Sequence, residues 1–211
     1  MNQEGLLEVL GGPRGLIDAG VPGAVFALAY TLTGQELAPS IAWAVGSGVV
    51  LFLISLAERR SVQQSLAGLV GVGVMAAVAA WTGQARDFYL PSVIKNAAYC
   101  AAYVVSILVR WPLLGVFLGP LFGEGFGWRK DPARLRSYSL ASAVWAAMFG
   151  LRVAVQVPLY LTGQVAALGV VGIPLGLPLF MLTLWVTYLV LRRTQPVRQT
   201  AEEPPSVADE G

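Results

Sequence analysis

The sequence contains no histidine and only one cysteine, Cys100. Lack of histidine removes the commonest general base and a frequent metal ligand, and one cysteine permits no disulfide bond within the chain. The sequence also has no Walker A loop, no Thr-Val-Gly-Tyr-Gly filter and no Gly-x-Ser-x-Gly elbow. We therefore expect no catalytic residues, no cofactor and no metal, and we predict that the protein is not an enzyme.

Charged residues are scarce. They make up 12% of the chain, against 56% hydrophobic residues, whereas about a quarter of the residues in soluble domains are charged. We conclude that the chain is an integral membrane protein with the lipid bilayer as its main partner, and we expect no nucleic-acid partner. Glu4 and Glu8 lie where a cleavable signal peptide carries basic residues, so the first span is expected to act as an uncleaved signal.

Hydrophobic runs predict an all-α, polytopic fold with six transmembrane helices, each near the ~20 residues that cross a bilayer. The predicted spans are 19–34, 38–57, 62–81, 89–109, 137–161 and 165–191. Three turns share the tripeptide Thr-Gly-Gln, at residues 33–35, 82–84 and 162–164. These repeats predict three helical hairpins, with each glycine in the left-handed conformation that ends a helix.

Basic residues are distributed unevenly between the two sides of this topology. Eleven of the 14 fall on one side: Arg14, Arg59, Arg60, Arg110, Arg129, Lys130, Arg134, Arg136, Arg192, Arg193 and Arg198. By the positive-inside rule that side is cytoplasmic, so both termini are predicted in the cytoplasm and the location is the bacterial cytoplasmic membrane. We predict a cytoplasmic segment at 1–18, a six-helix membrane domain at 19–193 and a disordered cytoplasmic tail at 194–211.

A glycine-rich segment at about 112–127 separates the second and third hairpins. It contains Gly115, Gly119, Gly123 and Gly127 at a spacing of four, interrupted by Pro120, with Glu124 as its charged residue. Because both flanks lie on the basic side, the segment is not expected to cross the membrane. It is predicted to be either a re-entrant loop or, as we favour, an interfacial helix whose glycines pack beneath the bundle.

Lys95 and Arg152 fall inside predicted spans, roughly 9 and 14 Å from the nearer end of each helix. Lys95, which adjoins Asn96, can extend its side chain to the interface, whereas Arg152 is too deep for this. Arg152 shares a helix face with Trp145, Phe149 and Gln156, and this stripe is expected to face inward. Arg152 then either bonds backbone carbonyls or Gln156 in a structural role, or forms an anion site with Gln156, Lys95 and Asn96.

Several motifs resemble those of a known family. They are Gly11-Gly12-Pro13-Arg14-Gly15-Leu16-Ile17-Asp18-Ala19-Gly20, Leu90-Pro91-Ser92-Val93-Ile94-Lys95-Asn96-Ala97-Ala98-Tyr99, and Gly123-Glu124-Gly125 before Trp128-Arg129-Lys130-Asp131-Pro132. The chain thereby resembles the actinobacterial membrane family known as domain of unknown function 3159, over nearly its whole length. A more distant resemblance, around Arg110-Trp111-Pro112-Leu113-Leu114 and at residues 135–141, is to the intracellular septation protein A family of small inner-membrane proteins.

The sequence leaves two functions open. One is a structural or interaction protein of the cell envelope, which acts through a basic cytoplasmic face, defined as Arg129, Lys130, Arg134 and Arg136, and associates with itself or with another envelope membrane protein. The other is a small channel or carrier for a small or anionic solute, with an outward cavity near Arg152. From the sequence we favour the first.

Overall fold

The computed structural model of the protein describes residues 12–58, 62–121, 123 and 125–192, and within these ranges the chain is helical with no strand. The predicted tail at 194–211 and Glu124 lie outside the described residues. The α-helices are α1 (Gly12–Leu32), α2 (Leu37–Ala57), α3 (Val62–Thr82), α4 (Leu90–Leu108), α5 (Leu113–Leu121), α6 (Pro132–Leu161), α7 (Val165–Leu175) and α8 (Leu177–Arg192). Short 3-10 helices at Ala85–Phe88 and Gly127–Lys130 precede α4 and α6.

Five helical stretches in the described chain are long and apolar enough to cross a membrane. They are Leu37–Ala57, Ser65–Thr82, Leu90–Leu108, Pro132–Leu161 and Val165–Arg192, and they coincide with the second to sixth predicted spans. In α1 the apolar stretch is the shorter Gly20–Leu32. The prediction of an all-α membrane protein is therefore confirmed, while a sixth spanning helix stays a prediction.

The three Thr-Gly-Gln turns end their helices as predicted. Gly34, Gly83 and Gly163 have φ values of 71°, 69° and 69°, the left-handed conformation that glycine adopts without a Cβ clash. One buried hydrophobic cluster and the partly buried side chains packed against it include residues next to all three turns, among them Tyr30, Ala79 and Leu159. The turns therefore lie at the same end of the bundle, which we call the Thr-Gly-Gln end. We call the opposite end, where α6 begins, the basic end.

Stacked aromatic rings fill the core near the Thr-Gly-Gln end. Phe26 of α1 stacks on Phe88 with ring centroids 4.0 Å apart, and Tyr89 meets Phe88 edge to face at 5.4 Å. The Tyr89 hydroxyl donates a 2.8 Å hydrogen bond to the carbonyl of Gly23. The contact fixes the start of α4 against α1.

Helix packing differs from the predicted hairpins. α1 lies between α2 and α7, and α2 also packs on α3. α3 and α4 follow each other in sequence but pack little against one another, so the second predicted hairpin is not a packed pair. α4 instead runs antiparallel along α6, because its polar and aromatic side chains find their partners there, and α6 also packs on α8.

The last predicted span, 165–191, is two helices that meet at Gly176. Pro174 and Pro178 flank the break, and proline has no N–H to donate to the carbonyl four residues earlier. The N–H of Gly176 bonds the carbonyl of Ile173 at 3.1 Å, a tighter turn than an α-helix makes. Since α7 is 11 residues long, about 16 Å, the break lies near the middle of the span.

Two helices begin before the predicted spans. α6 begins at Pro132, ahead of the predicted span 137–161, and Asp131 caps it by accepting a 2.8 Å hydrogen bond from the N–H of Ala133. Proline at the first helical position is suited to this site, since the N–H it lacks has no partner there. α1 begins at Gly12, within the predicted cytoplasmic segment 1–18.

The glycine-rich segment forms α5, nine residues or about 13 Å long and too short to cross a bilayer. Trp128 packs on one face of α5, where a Cβ at Gly115 or Gly119 would lie 2.9 or 2.5 Å from the indole. At Gly123 and Gly127, beyond the end of α5 at Leu121, no described atom lies within 4 Å of the Cβ position. Within the described part of the chain, Gly115 and Gly119 are therefore the two of the four glycines that pack.

Candidate functional site

Arg152 lies beside the break in the last span. Its Nη2 donates a 3.1 Å hydrogen bond to the carbonyl of Gly176, which also accepts a 3.2 Å bond from the N–H of Phe180. Arg152 is nine residues from the end of α6, so it lies about 14 Å below the Thr-Gly-Gln end. The break lies at about the same depth. One N–H of Arg152 thus adds a second hydrogen bond to a carbonyl at the break, which also accepts the first backbone bond of α8.

A buried amide pair lies one helical turn from Arg152. Asn96 Nδ2 of α4 donates a 3.1 Å hydrogen bond to Oε1 of Gln156 on α6. Asn96 is only 1% exposed, yet its Oδ1 has no hydrogen-bond partner among the described residues, and the same is true of Nε of Arg152. Buried polar atoms are nearly always paired, so an open acceptor and an open donor in one cluster require an explanation.

The structure brings three of the four predicted site residues together. Buried Asn96 of α4 bonds buried Gln156 of α6, and Arg152, half-buried and one turn away on α6, bonds the α7–α8 break, so that the three form one cluster. The side chain of Lys95 is exposed on the surface of α4, although it lies within electrostatic range of Arg152. Lys95 therefore adds positive charge near the cluster but does not line it.

Aromatic side chains close the cluster towards the basic end. Phe149 lies 5.1 Å from Tyr99 and 5.9 Å from Tyr103 between ring centroids, and Tyr103 stacks on Trp145 at 6.0 Å. Trp145 Nε1 donates a 3.0 Å hydrogen bond to the hydroxyl of Thr187 on α8. Along this face of α6 the side chains change from aromatic to polar as the helix approaches the Thr-Gly-Gln end.

A second polar contact, which the sequence analysis did not identify, lies one turn above Gln156. The Tyr160 hydroxyl donates a 2.6 Å hydrogen bond to Oδ1 of Asp87, a buried residue in the 3-10 helix before α4. Arg86 Nε lies 3.9 Å from the same carboxylate, and its guanidinium lies over the Tyr160 ring at 5.4 Å. The spacing of four from Gln156 to Tyr160, which extends the inward stripe, was the sequence signal for this contact.

The basic face lies apart from the membrane-embedded cluster, next to the start of α6. Arg129, Lys130 and Arg136 are exposed and Arg134 is half-buried. Arg129 places its guanidinium 4.0 Å from the ring centroid of Trp111. In the part of the chain that the structure describes, no three His, Cys, Asp or Glu side chains are grouped so that they could hold a metal ion.

Comparison with known proteins gives a family but no activity. No curated protein and no solved structure matches the chain. The resemblance to the septation protein family therefore stays a prediction. Residues 10–198 match the family described as "Protein of unknown function (DUF3159)". That match covers most of the 211 residues, and the chain belongs to the DUF3159 family.

Proposed function

We propose that the protein is a membrane carrier or channel for a small anionic solute, with Arg152 as the residue that binds the anion. The observation that carries this proposal is the position of Arg152 at a mid-span helix break, beside the buried Asn96–Gln156 pair. The sequence alone favoured an envelope structural role. The break between α7 and α8, which the sequence did not predict, favours a carrier or channel instead.

Charge balance supports an anionic ligand. The sequences of α2 to α8 contain no Asp or Glu, whereas α4 and α6 carry Lys95 and Arg152 inside the membrane. A cation at this depth costs at least about 2.5 kcal/mol to insert unless something compensates it. Gly176 accepts one N–H of Arg152, and the Nε–H remains open within the described structure. A bound anion would complete the compensation.

The broken helix supports movement of that ligand. Solute carriers often place their binding sites at interrupted helices near the bilayer midplane, because unwound backbone supplies polar groups there. Such backbone is tolerated in a membrane only where it is buried in protein or lines water. An anion that takes Arg152 from the carbonyl of Gly176 would release the break between α7 and α8 from α6. The bond between Arg152 and Gly176 is then the contact that solute binding exchanges.

A structural protein of the cell envelope remains the second candidate. The hydrogen bond from Arg152 to the carbonyl of Gly176 favours this structural role, since it gives Arg152 a backbone partner without any solute. In that case Arg152 fastens the two halves of the last span to α6 and binds no solute. The two candidates differ in one measurable respect, which is whether an anion stabilises the protein through Arg152.

The test is thermal unfolding of the purified protein with chloride, inorganic phosphate and short-chain carboxylates at matched ionic strength. We expect one class of anion to raise the Tm of the wild type and of the control Lys95→Gln, but not of Arg152→Gln. Saturation at 100 times Kd corresponds to about 2.7 kcal/mol of stabilisation. Equal responses from all three proteins, or no response to any anion, would contradict the carrier proposal and leave the structural candidate.

A further inference from the structure

We propose that the basic end carries a second binding surface, which holds the phosphate headgroup of an anionic phospholipid. We define this headgroup surface by Arg110, Trp111, Phe126 and Arg129. It lies outside the Arg152 cluster, and the proposal does not depend on the solute-binding function.

The headgroup surface is a basic and aromatic cluster open to the surroundings. The Arg129 guanidinium lies 4.0 Å from the ring centroid of Trp111, and the rings of Trp111 and Phe126 are 5.9 Å apart. Trp111 is 40% exposed and Phe126 is 55% exposed. A guanidinium held against an indole keeps its N–H edge free, and that planar edge matches two oxygens of a phosphate.

The surrounding charge suits an anion. Residues 110–136 contain five basic and two acidic residues, a net charge of +3 (5 − 2). One of the acids, Asp131, uses its Oδ1 to cap α6. Basic residues next to a membrane surface attract anionic lipids, with each Lys or Arg adding to the binding.

Arg110 supplies a separate indication that a side chain is needed here. It follows α4 with φ of 57°, in the left-handed conformation that disfavours any residue with a Cβ. In the three Thr-Gly-Gln turns, glycine occupies the position with this left-handed conformation. At α4 the N–H of Trp111 closes the turn on the carbonyl of Ser106 at 2.8 Å, so glycine would serve the turn equally well. The turn alone does not account for arginine at this position.

The neighbouring helix α5 fits a position at the membrane surface. Its inward face packs Gly115 and Gly119 against Trp128, while Phe117 and Leu121 are exposed on the outside. An interfacial helix places such apolar side chains among the acyl chains and leaves basic residues at the level of the headgroups. The exposed apolar side chains beside the arginines favour a phospholipid over a soluble anion or a soluble protein partner.

The test titrates the purified protein in detergent with short-chain phosphatidylglycerol, with phosphatidylcholine of the same chain length, and with inorganic phosphate. Tm is the readout for the wild type, Arg129→Gln, Arg110→Gly and the control Arg192→Gln. Arg192 is exposed at the end of α8 and lies outside the headgroup surface. We expect phosphatidylglycerol alone to raise the Tm of the wild type and of the control. Arg129→Gln should raise the half-saturating concentration about fivefold, as expected for one lost basic contact.

Arg110→Gly distinguishes a binding role from a structural one. Relief of backbone strain should raise its Tm without lipid, while loss of the side chain should weaken its response to phosphatidylglycerol. Replacing a purely structural residue would not raise the Tm without lipid and at the same time reduce the Tm increase caused by phosphatidylglycerol. The proposal is overturned if phosphatidylcholine or inorganic phosphate acts as well as phosphatidylglycerol, if phosphatidylglycerol has no effect, or if the two headgroup-surface variants respond like Arg192→Gln.

Discussion

Trp128 is the residue around which α5 and α6 pack at the basic end. It is 2% exposed, its ring meets Tyr138 edge to face at 5.4 Å, and its indole covers two glycines of α5. A side chain on either glycine would collide with the indole. Because interiors are densely packed, such a collision can be relieved only by shifting the tryptophan or the helix.

At this scale we predict that Gly119→Ala destabilises the protein by about 1–3 kcal/mol, the usual cost of overpacking. Gly127→Ala is the matched control, since the position has open space around its Cβ and is expected to change stability by less than about 0.5 kcal/mol. Unfolding of both variants in a detergent and denaturant series measures the difference. Equal stability of the two variants would mean that Trp128 does not pack on α5 as the structure shows.

Single residues also show how far the sequence could predict the site. The depth of Arg152 and its shared face with Gln156 follow from helix geometry alone, and the structure bonds Gln156 to Asn96 and Arg152 to Gly176. The sequence could not predict which of the four spaced glycines pack. A spacing of four aligns glycines on one face only within a helix, and α5 ends at Leu121. The role of Asp87 was missed because its partner, Tyr160, is 73 residues away in sequence.

At the scale of elements, the break at Gly176 and the pairing of α4 with α6 define the site. The break had a sequence signal in Pro174 and Pro178, but the unbroken apolar composition around them favoured one continuous span. Helix pairing had no comparable signal, since the order of spans in the sequence does not determine which helices pack. The structure pairs α4 with α6 through contacts between residues about 40 to 60 positions apart.

We predict a measurable coupling between α4 and α6 through their buried amides. A double-mutant cycle of Asn96→Ala and Gln156→Ala should give a coupling of about 0.6 kcal/mol, and at most about 1.7, as found for hydrogen bonds between membrane helices. The measurement is the unfolding free energy of the wild type, the two single variants and the double variant. Strictly additive effects would show that Asn96 and Gln156 do not interact.

At the scale of the whole molecule, the two ends of the bundle differ in charge and in turn chemistry. Thr-Gly-Gln turns lie at one end, and Arg110, Arg129 and Lys130 lie at the other. Short loops rich in Lys and Arg stay in the cytoplasm, so the basic end is predicted to face it.

The orientation can be measured with reporters. After Arg193, a fused reporter that works only in the cytoplasm should be active, and one that works only outside the membrane should be inactive. At Gly34 the two reporters should give the opposite result. Cysteines at Gly127 and Trp111, placed one at a time in a Cys100→Ala background, should both be labelled from the cytoplasmic side, because α5 is too short to cross the bilayer. Labelling of these two positions from opposite sides would refute the topology.

The central claim is that a small anion reaches Arg152 beside Gln156, and thiol accessibility tests it most directly. In the Cys100→Ala background, Gln156→Cys is compared with Ala154→Cys, which lies about 3 Å away along α6 but is exposed on the outside of the bundle. We predict that a membrane-impermeant methanethiosulfonate reagent modifies Gln156→Cys and leaves Ala154→Cys unmodified. We also predict that the anion that raises Tm slows the modification. An unreactive thiol at position 156, or equal reaction at both positions, would contradict the account.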